Sequence, residues 1–330
     1  MKNNFTPLIA LGNESPVVQD STDLRPGVIA LVNESRLVGA TYNESLTRYA
    51  VGYRDPENLL VAVDYIAPPI PVGRRYDFKR IGDDQFFLTE TDDERQIGGG
   101  FKRVEYSGTE EQGKTRNRGL KYILDVDEDG GVTSEESIVA MLQQRIIRNK
   151  YRRAITALYA LTAGTGAIFA ATTAPDELIK AALAAAQLEI GTYPNRGLIG
   201  LAAWNLRSAA MAGAATAGAF AGLTKKPSEV AGDLFLDDLR VDKSLYQSTK
   251  TAKARIVSSN FFGVTAYDGQ SKDDPSNLKQ FYTPINGARW RVLRKVAGDG
   301  DKLIEIVVEH YENITGTSTK GVARLNITAS

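Results

Sequence analysis

The sequence contains no cysteine and a single histidine, His310. Without cysteine, a disulfide framework, a Cys-based zinc site, an iron–sulfur cluster and thiol catalysis are all excluded. One histidine rules out a two-His metal site and leaves a His-dependent triad with one candidate base. Because His310 continues the apolar face of Ile304, Ile306 and Val308, we interpret it as a structural residue of a strand rather than as a general base.

Net charge is also absent, since 40 Lys and Arg residues balance 40 Asp and Glu residues. The whole surface therefore has no basic excess that would attract nucleic acid or anionic lipid. The N-terminus lacks an apolar run suited to a secretory signal, so we expect synthesis in the cytoplasm. Ala, Gly and Thr dominate the longest uncharged stretch, Ala154–Pro175, and we expect no membrane contact. The 330 residues predict about two globular domains.

The first part of the chain carries an internal repeat. Ile9–Val18 reads IALGNESPVV, Ile29–Val38 reads IALVNESRLV, and Tyr42–Leu46 is a shorter echo. Two copies are too few for a solenoid, and short apolar patches between Asn, Glu, Ser and Pro favour an extended docking arm over residues 1–64. The alternative is a partly helical entry segment, because Asn-Glu-Ser also resembles a helix N-cap.

A charged segment follows, from Tyr65 to Tyr122, in which 21 of 58 residues are charged. Tyr76 and Phe78 alternate with polar residues, which indicates half-buried strands. We predict a long two-stranded ribbon with a glycine break at 98–100. Because an isolated ribbon is marginal in water, it requires a partner surface, either on its own domain or on a neighbouring subunit.

The centre of the chain reads as a long helix and a packed core. Apolar residues at spacings of three and four predict a helix over Ser134–Thr162, about 43 Å long. Ala154–Gly222 has only six charged residues in 69 and predicts the core. Within and after it we predict a helix over Asp176–Glu189, a buried strand over Leu198–Trp204, a helix or loop over Ser208–Ala221, and β-structure over Ala254–Tyr267, Trp290–Val296 and Lys302–Tyr311.

Gly108–Thr115 matches the phosphate-binding pattern G-x-x-x-x-G-K-[ST], with Lys114 and Thr115 in the phosphate and magnesium roles. That loop must follow a buried parallel strand and open a helix, and this context is missing. Glu110 and Glu111 would also repel phosphate. We therefore predict a charged hairpin tip here, and neither a catalytic site nor a cofactor.

Asp125–Glu136 satisfies the twelve-residue calcium loop, including glycine at its sixth position. The element before it resembles a strand, whereas the calcium motif needs an entering helix. The same residues also fit a capping box, with Thr133 as N-cap and Glu136 at the third helical position. A calcium-dependent binding module stays open as an alternative, although we assign no metal ligands.

Six stretches carry a resemblance to a known family: PPIPVGRRYDFKR, RQIGGGFKRVEYSGT, LQQRIIRNKYRRAITAL, RGLIGLAAWNLR, LRVDKSLYQSTKTAKARIV and IVVEHYENITGTSTKGV. In these the chain resembles the major capsid proteins of tailed bacteriophages with the Hong Kong 97-like fold. The likeness covers most of the chain from about Tyr65 onward. It implies an α+β fold, a structural protein rather than an enzyme, and an extended loop that lies over the adjacent subunit.

The resemblance also implies an organisation and a set of partners. The parts would be an N-terminal arm (1–64), an extended loop (65–122), a peripheral domain with the spine helix (123–174), an axial domain (175–275) and C-terminal strands of the peripheral domain (276–330). Copies would form hexamers and pentamers of an icosahedral virion shell, assembled in the host bacterial cytoplasm around double-stranded DNA, with portal, scaffold or decoration proteins as further partners. An encapsulin-type nanocompartment is the alternative within the same fold.

Some capsid proteins of this fold crosslink a loop lysine to an asparagine. Lys79, Lys102 and Lys114 lie in the predicted loop and Asn313 lies in the C-terminal segment. Such chemistry needs reacting atoms held near contact in a shielded site, and nothing in the sequence brings them together. We therefore predict no crosslink.

Overall fold

Helices and strands have similar total extent in the part of the chain that the structure describes. The computed structural model describes residues 41–80, 97, 99, 109–129, 134–214, 222–268, 271–297 and 302–329. The helices are α1 (Glu44–Gly52), α2 (Leu59–Ile66), α3 (Val126–Asp129), α4 (Glu135–Leu161), α5 (Pro175–Ile190), α6 (Leu201–Gly213) and α7 (Pro227–Asp233). The strands are β1 (Thr41–Tyr42), β2 (Pro69–Pro71), β3 (Arg75–Arg80), β4 (Thr109–Lys114), β5 (Arg116–Asp125), β6 (Thr165–Phe169), β7 (Arg196–Gly200), β8 (Asp238–Asp242), β9 (Leu245–Gln247), β10 (Lys253–Arg255), β11 (Asn260–Val264), β12 (Leu278–Thr283), β13 (Arg291–Ala297), β14 (Leu303–Gly316) and β15 (Ala323–Ala329).

A six-stranded sheet is organised around the long strand β14. Along one edge, β5 pairs antiparallel with β14, from Leu303 opposite Asp125 to Glu312 opposite Arg116. The other edge is divided, since β13 pairs with the first half of β14 and β12 with the second half. Strand β1 pairs with β13, and β2 lies parallel to β12. Both edges of β14 are therefore paired.

The two faces of β14 meet different parts of the chain. Ile306 and Val308 are fully buried in the main core with α4, and His310 continues that face. The apolar face predicted for this strand is therefore confirmed. Asn313 points to the opposite face, where its side-chain amide donates a hydrogen bond of 2.9 Å to the hydroxyl of Tyr76 in β3. The sheet thus lies between α4 and the β3–β4 ribbon.

Helix α4 confirms the predicted spine and is about 40 Å long at 1.5 Å per residue. Its apolar positions, Ile138, Leu142, Ile146, Ile147, Tyr151, Ile155 and Leu158, are all buried. The predicted N-cap is wrong, because Ser134 caps the helix and its hydroxyl oxygen accepts a hydrogen bond from the Ser137 N–H. The serine stands one residue after Thr133, which lies outside the described residues.

A second, five-stranded sheet has the order β6-β15-β11-β7-β8. Helices α5, α6 and α7 pack on it with small side chains such as Ala186, Ala203 and Ala231. The predicted helix after Pro175 is confirmed, with Pro175 in its first turn. The strand predicted over Leu198–Trp204 ends early, at Gly200, where α6 begins.

The segment before Tyr65 differs from the prediction of an extended arm. Helices α1 and α2 pack into the main core through buried residues that include Leu46, Leu59 and Val63. Asn43 caps α1, since its side-chain oxygen accepts a hydrogen bond of 2.9 Å from the Leu46 N–H. The helical alternative is thus confirmed for the third Asn-Glu-Ser copy, whereas the first two copies lie outside the described residues.

Two further features differ from the sequence-based expectation. In the described part of the chain the ribbon comprises β3 and β4, and β5 does not belong to it, because β5 pairs with β14 in the six-stranded sheet from Arg116 onward. Strands β12 and β15 were not predicted, and β15 joins the second sheet, although it belongs to the predicted C-terminal peripheral segment. The five-part domain division stays a prediction.

Candidate functional site

A cluster of buried charges joins α4 to the six-stranded sheet. Glu312 has no exposed side-chain surface, and its carboxylate lies 3.0 Å from Lys150 Nζ and 3.2 Å from His310 Nε2. Arg153 donates a short hydrogen bond to the same carboxylate, and Arg118 lies 3.9 Å away. Lys150 is itself fully buried. This arrangement fixes the helix on the sheet through one anion and several cations.

The surroundings shift the pKa values of the acid and the imidazole. Burial alone raises the pKa of Glu312, but Lys150 and His310 outweigh it and hold the pKa of this carboxyl well below its usual range. Burial is the largest influence on His310 and lowers the pKa of its imidazole, against the opposing effect of Glu312. His310 is 1% exposed and its ring packs 4.6 Å from that of Trp290. The structure therefore places it in a packed interior, as the sequence predicts.

The base of the β3–β4 ribbon has its own small apolar cluster. Tyr76 and Phe78 are buried against Phe281 of β12, with ring centroids 4.3 Å and 5.4 Å from the Phe281 ring. Backbone contacts add to this, because Lys79 N–H donates to the Asp273 carboxylate at 3.0 Å. Of the two partner surfaces left open by the sequence, the chain's own sheet holds the ribbon base.

A cleft of about 1280 Å³ lies on the other side of α4, bordered by α2, α6, β8 and the β9–β10 hairpin. We call it the cationic cleft. Leu198, Leu201 and Trp204 contribute apolar surface to its lining. Exposed Lys243 and Lys253 lie at its border, on or beside the hairpin. Sequence reasoning did not single out this cleft, because it forms only when distant segments fold together.

The phosphate-binding motif does not form a phosphate loop. Thr109–Lys114 is the antiparallel strand β4, and β5 begins at Arg116 without an intervening helix. Thr115 is buried, and its hydroxyl lies 2.8 Å from the hydroxyl of Thr283. The expectation of a hairpin tip is also wrong, because β4 is paired along its whole length with β3 at the base of the ribbon. Gly108 lies outside the described residues.

The calcium motif begins where β5 ends. A strand precedes it, as the sequence predicts, and the carboxylate of Asp125 accepts a hydrogen bond of 3.0 Å from the Asp127 N–H. Glu135 pairs with Arg294 of β13 at 3.0 Å. Residues 130–133 lie outside the described part of the chain. Among the residues that the structure does describe, no three acidic or His side chains gather as a metal site requires.

The structure describes three of the four candidate crosslinking residues. Asn313 donates to the Tyr76 hydroxyl, Lys79 lies in β3, Lys114 is exposed at the end of β4, and Lys102 is outside the described residues. None of the described helices combines the length and apolar character needed to cross a bilayer.

Sequence reasoning missed the buried polar residues of α4. Gln143 is 1% exposed and donates a hydrogen bond of 2.7 Å to the backbone carbonyl of Ala50, and Lys150 contacts Glu312. The signal was present in the spacing, because Ile146, Lys150 and Ala154 are four residues apart and so share one helix face. A lysine within an apolar stripe indicates a buried counterion.

The fold is shared with proteins of known structure. A phage-related protein from Bordetella bronchiseptica RB50 superposes with a TM-score of 0.65 at 14% identity, covering 87% of this chain and 97% of its own. The putative capsid protein of a prophage from E. coli CFT073 has a TM-score of 0.48 at 11% identity, covering 88% and 99%. The SrpI encapsulin of Synechococcus elongatus PCC 7942 has a TM-score of 0.45 at 12% identity, covering 89% and 94%.

Comparison of the sequence alone adds nothing to this. No protein-family model matches the sequence. No curated relative matches it either. The α+β class predicted from the sequence is confirmed, and the chain shares its fold with a phage-related protein.

Proposed function

We propose that this chain is a major capsid protein, copies of which assemble into an icosahedral shell of hexamers and pentamers around double-stranded phage DNA. The observation that carries the proposal is the β3–β4 ribbon, in a chain that shares its fold with a phage-related protein. Assembly would take place in the host bacterial cytoplasm, and the mature location would be the virion.

The ribbon supports self-association because, among its described residues, the chain's own sheet covers one face and leaves the other exposed. Tyr76 and Phe78 are buried at the base, whereas Arg75, Asp77 and Glu110 are exposed. A further 28 residues, 81–108, connect β3 to β4. A two-stranded ribbon in water is marginally stable, so additional surface from neighbouring copies would stabilise it.

Phe235 is a second indication of contacts between copies. Its side chain is 76% exposed, although its backbone is in the left-handed region with φ of 58°. An aromatic residue in this conformation carries backbone strain of about 1–3 kcal/mol, and a side chain exposed to solvent makes no packing contacts that would offset this cost. Aromatic side chains are enriched where proteins meet, so a neighbouring copy that covers Phe235 would account for both features.

A shell also fits the energetics and the charge. An ordinary interface buries about 1,600 Å², and a subunit that makes several at once gains stability by multivalency. The balance of 40 cationic and 40 anionic residues suits a container that must later release DNA, since a strongly basic wall would retain it.

Sedimentation velocity and negative-stain electron microscopy of the purified protein test the proposal. We expect closed particles of uniform diameter. A protein that stays monomeric or forms small open oligomers under all assembly conditions would contradict it, and calcium-dependent melting of such a monomer would favour the binding-module alternative.

The contents of particles from producing cells test the DNA part separately. Nuclease-resistant double-stranded DNA is expected inside, whereas an enclosed enzyme without DNA would favour the encapsulin alternative. Portal, scaffold and decoration proteins stay as expected partners, which co-purification from the same cells would identify.

A further inference from the structure

We propose that the cationic cleft of one copy binds the acidic segment Asp83–Glu94 from the extended loop of a second copy. The inference deepens the proposed function and rests on it, since it requires copies that lie side by side. Residues 83–94 lie outside the described part of the structure, so only their sequence is used.

The first support is the charge of the cleft border. The stretch from Lys243 to Arg255, which includes β9 and β10, carries four cationic residues and no acidic residue. Among the described residues, no carboxylate lies within 4.0 Å of Lys243 or Lys253, whereas Arg148 pairs with Glu57. Two exposed lysines at the border of the cationic cleft therefore have charge available for an anionic partner.

The two acidic residues that line the cleft, Glu57 and Asp242, do not cancel the charge of the lysines, since Glu57 pairs with Arg148. Asp242 is buried, and its carboxylate accepts hydrogen bonds from the Ser244 hydroxyl at 2.5 Å and from the Val257 N–H at 3.1 Å. Arg240 is compensated by Asp238 at 3.0 Å. The lysines thus dominate the exposed charge of the cleft.

The second support is the composition of the loop segment. Residues 83–94 read DDQFFLTETDDE, with six acidic residues, no basic residue and a central Phe86-Phe87-Leu88. The acidic residues complement Lys243 and Lys253, and the three apolar residues match the apolar lining formed by Leu198, Leu201 and Trp204. Charge complementarity of this kind gives an interface its register and partner choice.

Other parts of the chain fit the cleft less well. The first 40 residues have four acidic and three basic residues and so carry almost no excess charge. The acidic stretch Asp125–Glu136 lacks aromatic residues, and its ends are joined to β5 and α4, with Glu135 already paired with Arg294.

The layers of the fold favour a second copy over the same chain. The ribbon base lies on the face of the six-stranded sheet that carries Asn313, whereas α4 lies on the opposite face. Within α4, Lys150 and Arg153 reach the sheet through Glu312, and Arg148 faces the cleft from another side of the helix. Both the sheet and the helix therefore stand between the ribbon base and the cleft of its own chain.

Engineered disulfides test the contact, since the natural sequence has no cysteine. One protein carries Lys253→Cys and another carries Asp92→Cys, and the two are mixed in equal amounts, assembled and oxidised. We expect the disulfide-linked heterodimer on a non-reducing denaturing gel to exceed, by at least tenfold, that from a control mixture of Leu188→Cys with Asp92→Cys. Leu188 is 89% exposed and does not line the cleft.

A single chain with both Lys253→Cys and Asp92→Cys distinguishes the two arrangements. A crosslinked monomer with altered mobility, in place of linked copies, would overturn the choice of a second copy. Closed particles without any disulfide involving Lys253→Cys would overturn the whole inference while leaving the proposed function intact. Absence of particles in the unmodified protein is instead a failure of the proposed function.

Charge reversal gives an independent readout. Lys243→Glu with Lys253→Glu should reduce the particle yield at least tenfold, and adding Asp92→Lys with Asp93→Lys in the same chain should recover most of it. Lys250→Glu is the matched control, because Lys250 lies in the same hairpin but does not line the cleft. Equal loss in the control, or no recovery in the combined variant, would contradict the inference.

Discussion

Replacing Glu312 by glutamine should strongly destabilise the fold. The side chain keeps its size, but fully buried Lys150 loses the carboxylate 3.0 Å away. Removing one partner of a buried ion pair costs about 3–5 kcal/mol, because the other charge stays buried without compensation. At roughly 2 °C per kcal/mol for a chain of this size, the Tm should fall by about 6–10 °C.

The comparison with Lys150→Met separates charge compensation from packing. In that variant Glu312 keeps Arg153 and His310, so the loss of stability should be smaller than for Glu312→Gln. The double variant should be more stable than Glu312→Gln alone, since no uncompensated lysine remains. Such a coupling between adjacent residues is what a double-mutant cycle measures.

Urea unfolding of the unassembled protein provides the measurement. Tryptophan fluorescence reports on this region, because the Trp290 ring lies 4.6 Å from that of His310. A loss below about 1 kcal/mol for Glu312→Gln, outside the range for breaking a buried pair, would refute the reasoning, and so would a double variant no more stable than the single one.

Three further predictions concern other parts of the molecule. The pKa of His310 is lower in the folded chain than its usual value of about 6.5, so below pH 6.5 the unfolded chain binds more protons than the folded chain. The free energy of unfolding should therefore decrease as the pH falls below 6.5, by up to about 1.4 kcal/mol per pH unit. Urea titrations at a series of pH values should show that the free energy of unfolding of His310→Gln depends less on pH than that of the unmodified protein. An equal dependence on pH in both proteins would show that His310 is not the group responsible. Phe281→Ala removes the ring that holds the ribbon base and should cost about 3–5 kcal/mol, with faster proteolytic cleavage of the ribbon; unchanged cleavage would show that the ribbon is held elsewhere. Gly200→Ala places a Cβ 1.9 Å from the Ser258 carbonyl oxygen and should lower the Tm markedly, whereas Gly166→Ala, with no atom within 4 Å, should leave it nearly unchanged; similar values for both would contradict the packing argument.

Periodic elements were predictable because their burial follows the spacing of apolar residues. Helix α4 buries every apolar position that its spacing of three and four selects, and β14 buries Ile306 and Val308 on the face that its alternation predicts. Helix α5 has both periodicity and Pro175 as a start signal. In these elements local pattern and tertiary packing agree, so the sequence alone was sufficient.

Strand β12 was not predictable for a physical reason. Its residues Lys279 and Gln280 are fully buried although both are polar. The ammonium group of Lys279 donates to the backbone carbonyls of Lys272 at 2.8 Å and Asp274 at 2.6 Å, which compensates its burial. Both carbonyls belong to the preceding loop, and a propensity argument cannot anticipate where that loop folds.

For the candidate sites too, local features could be judged from the sequence, whereas sites formed by distant segments could not. The phosphate-binding match could be discounted from the sequence, because it requires a buried parallel strand before it and a helix after it, which the local pattern does not show. The calcium match stays open, since residues 130–133 lie outside the described residues. The spacing of α4 indicated that Lys150 is buried with a counterion, but not which residue supplies it. Glu312 and the lining of the cationic cleft could not be identified, since each depends on residues more than 100 positions apart that meet only in the folded chain.

The pairing of β14 along both edges has a mechanical consequence. Its hydrogen bonds to β5 on one side and to β13 and β12 on the other run perpendicular to the strand. A pull along the axis of β14 would therefore load many of these bonds together in shear, and they could not open one after another. A wall built from such strands would resist stretching by the pressure of tightly packed contents.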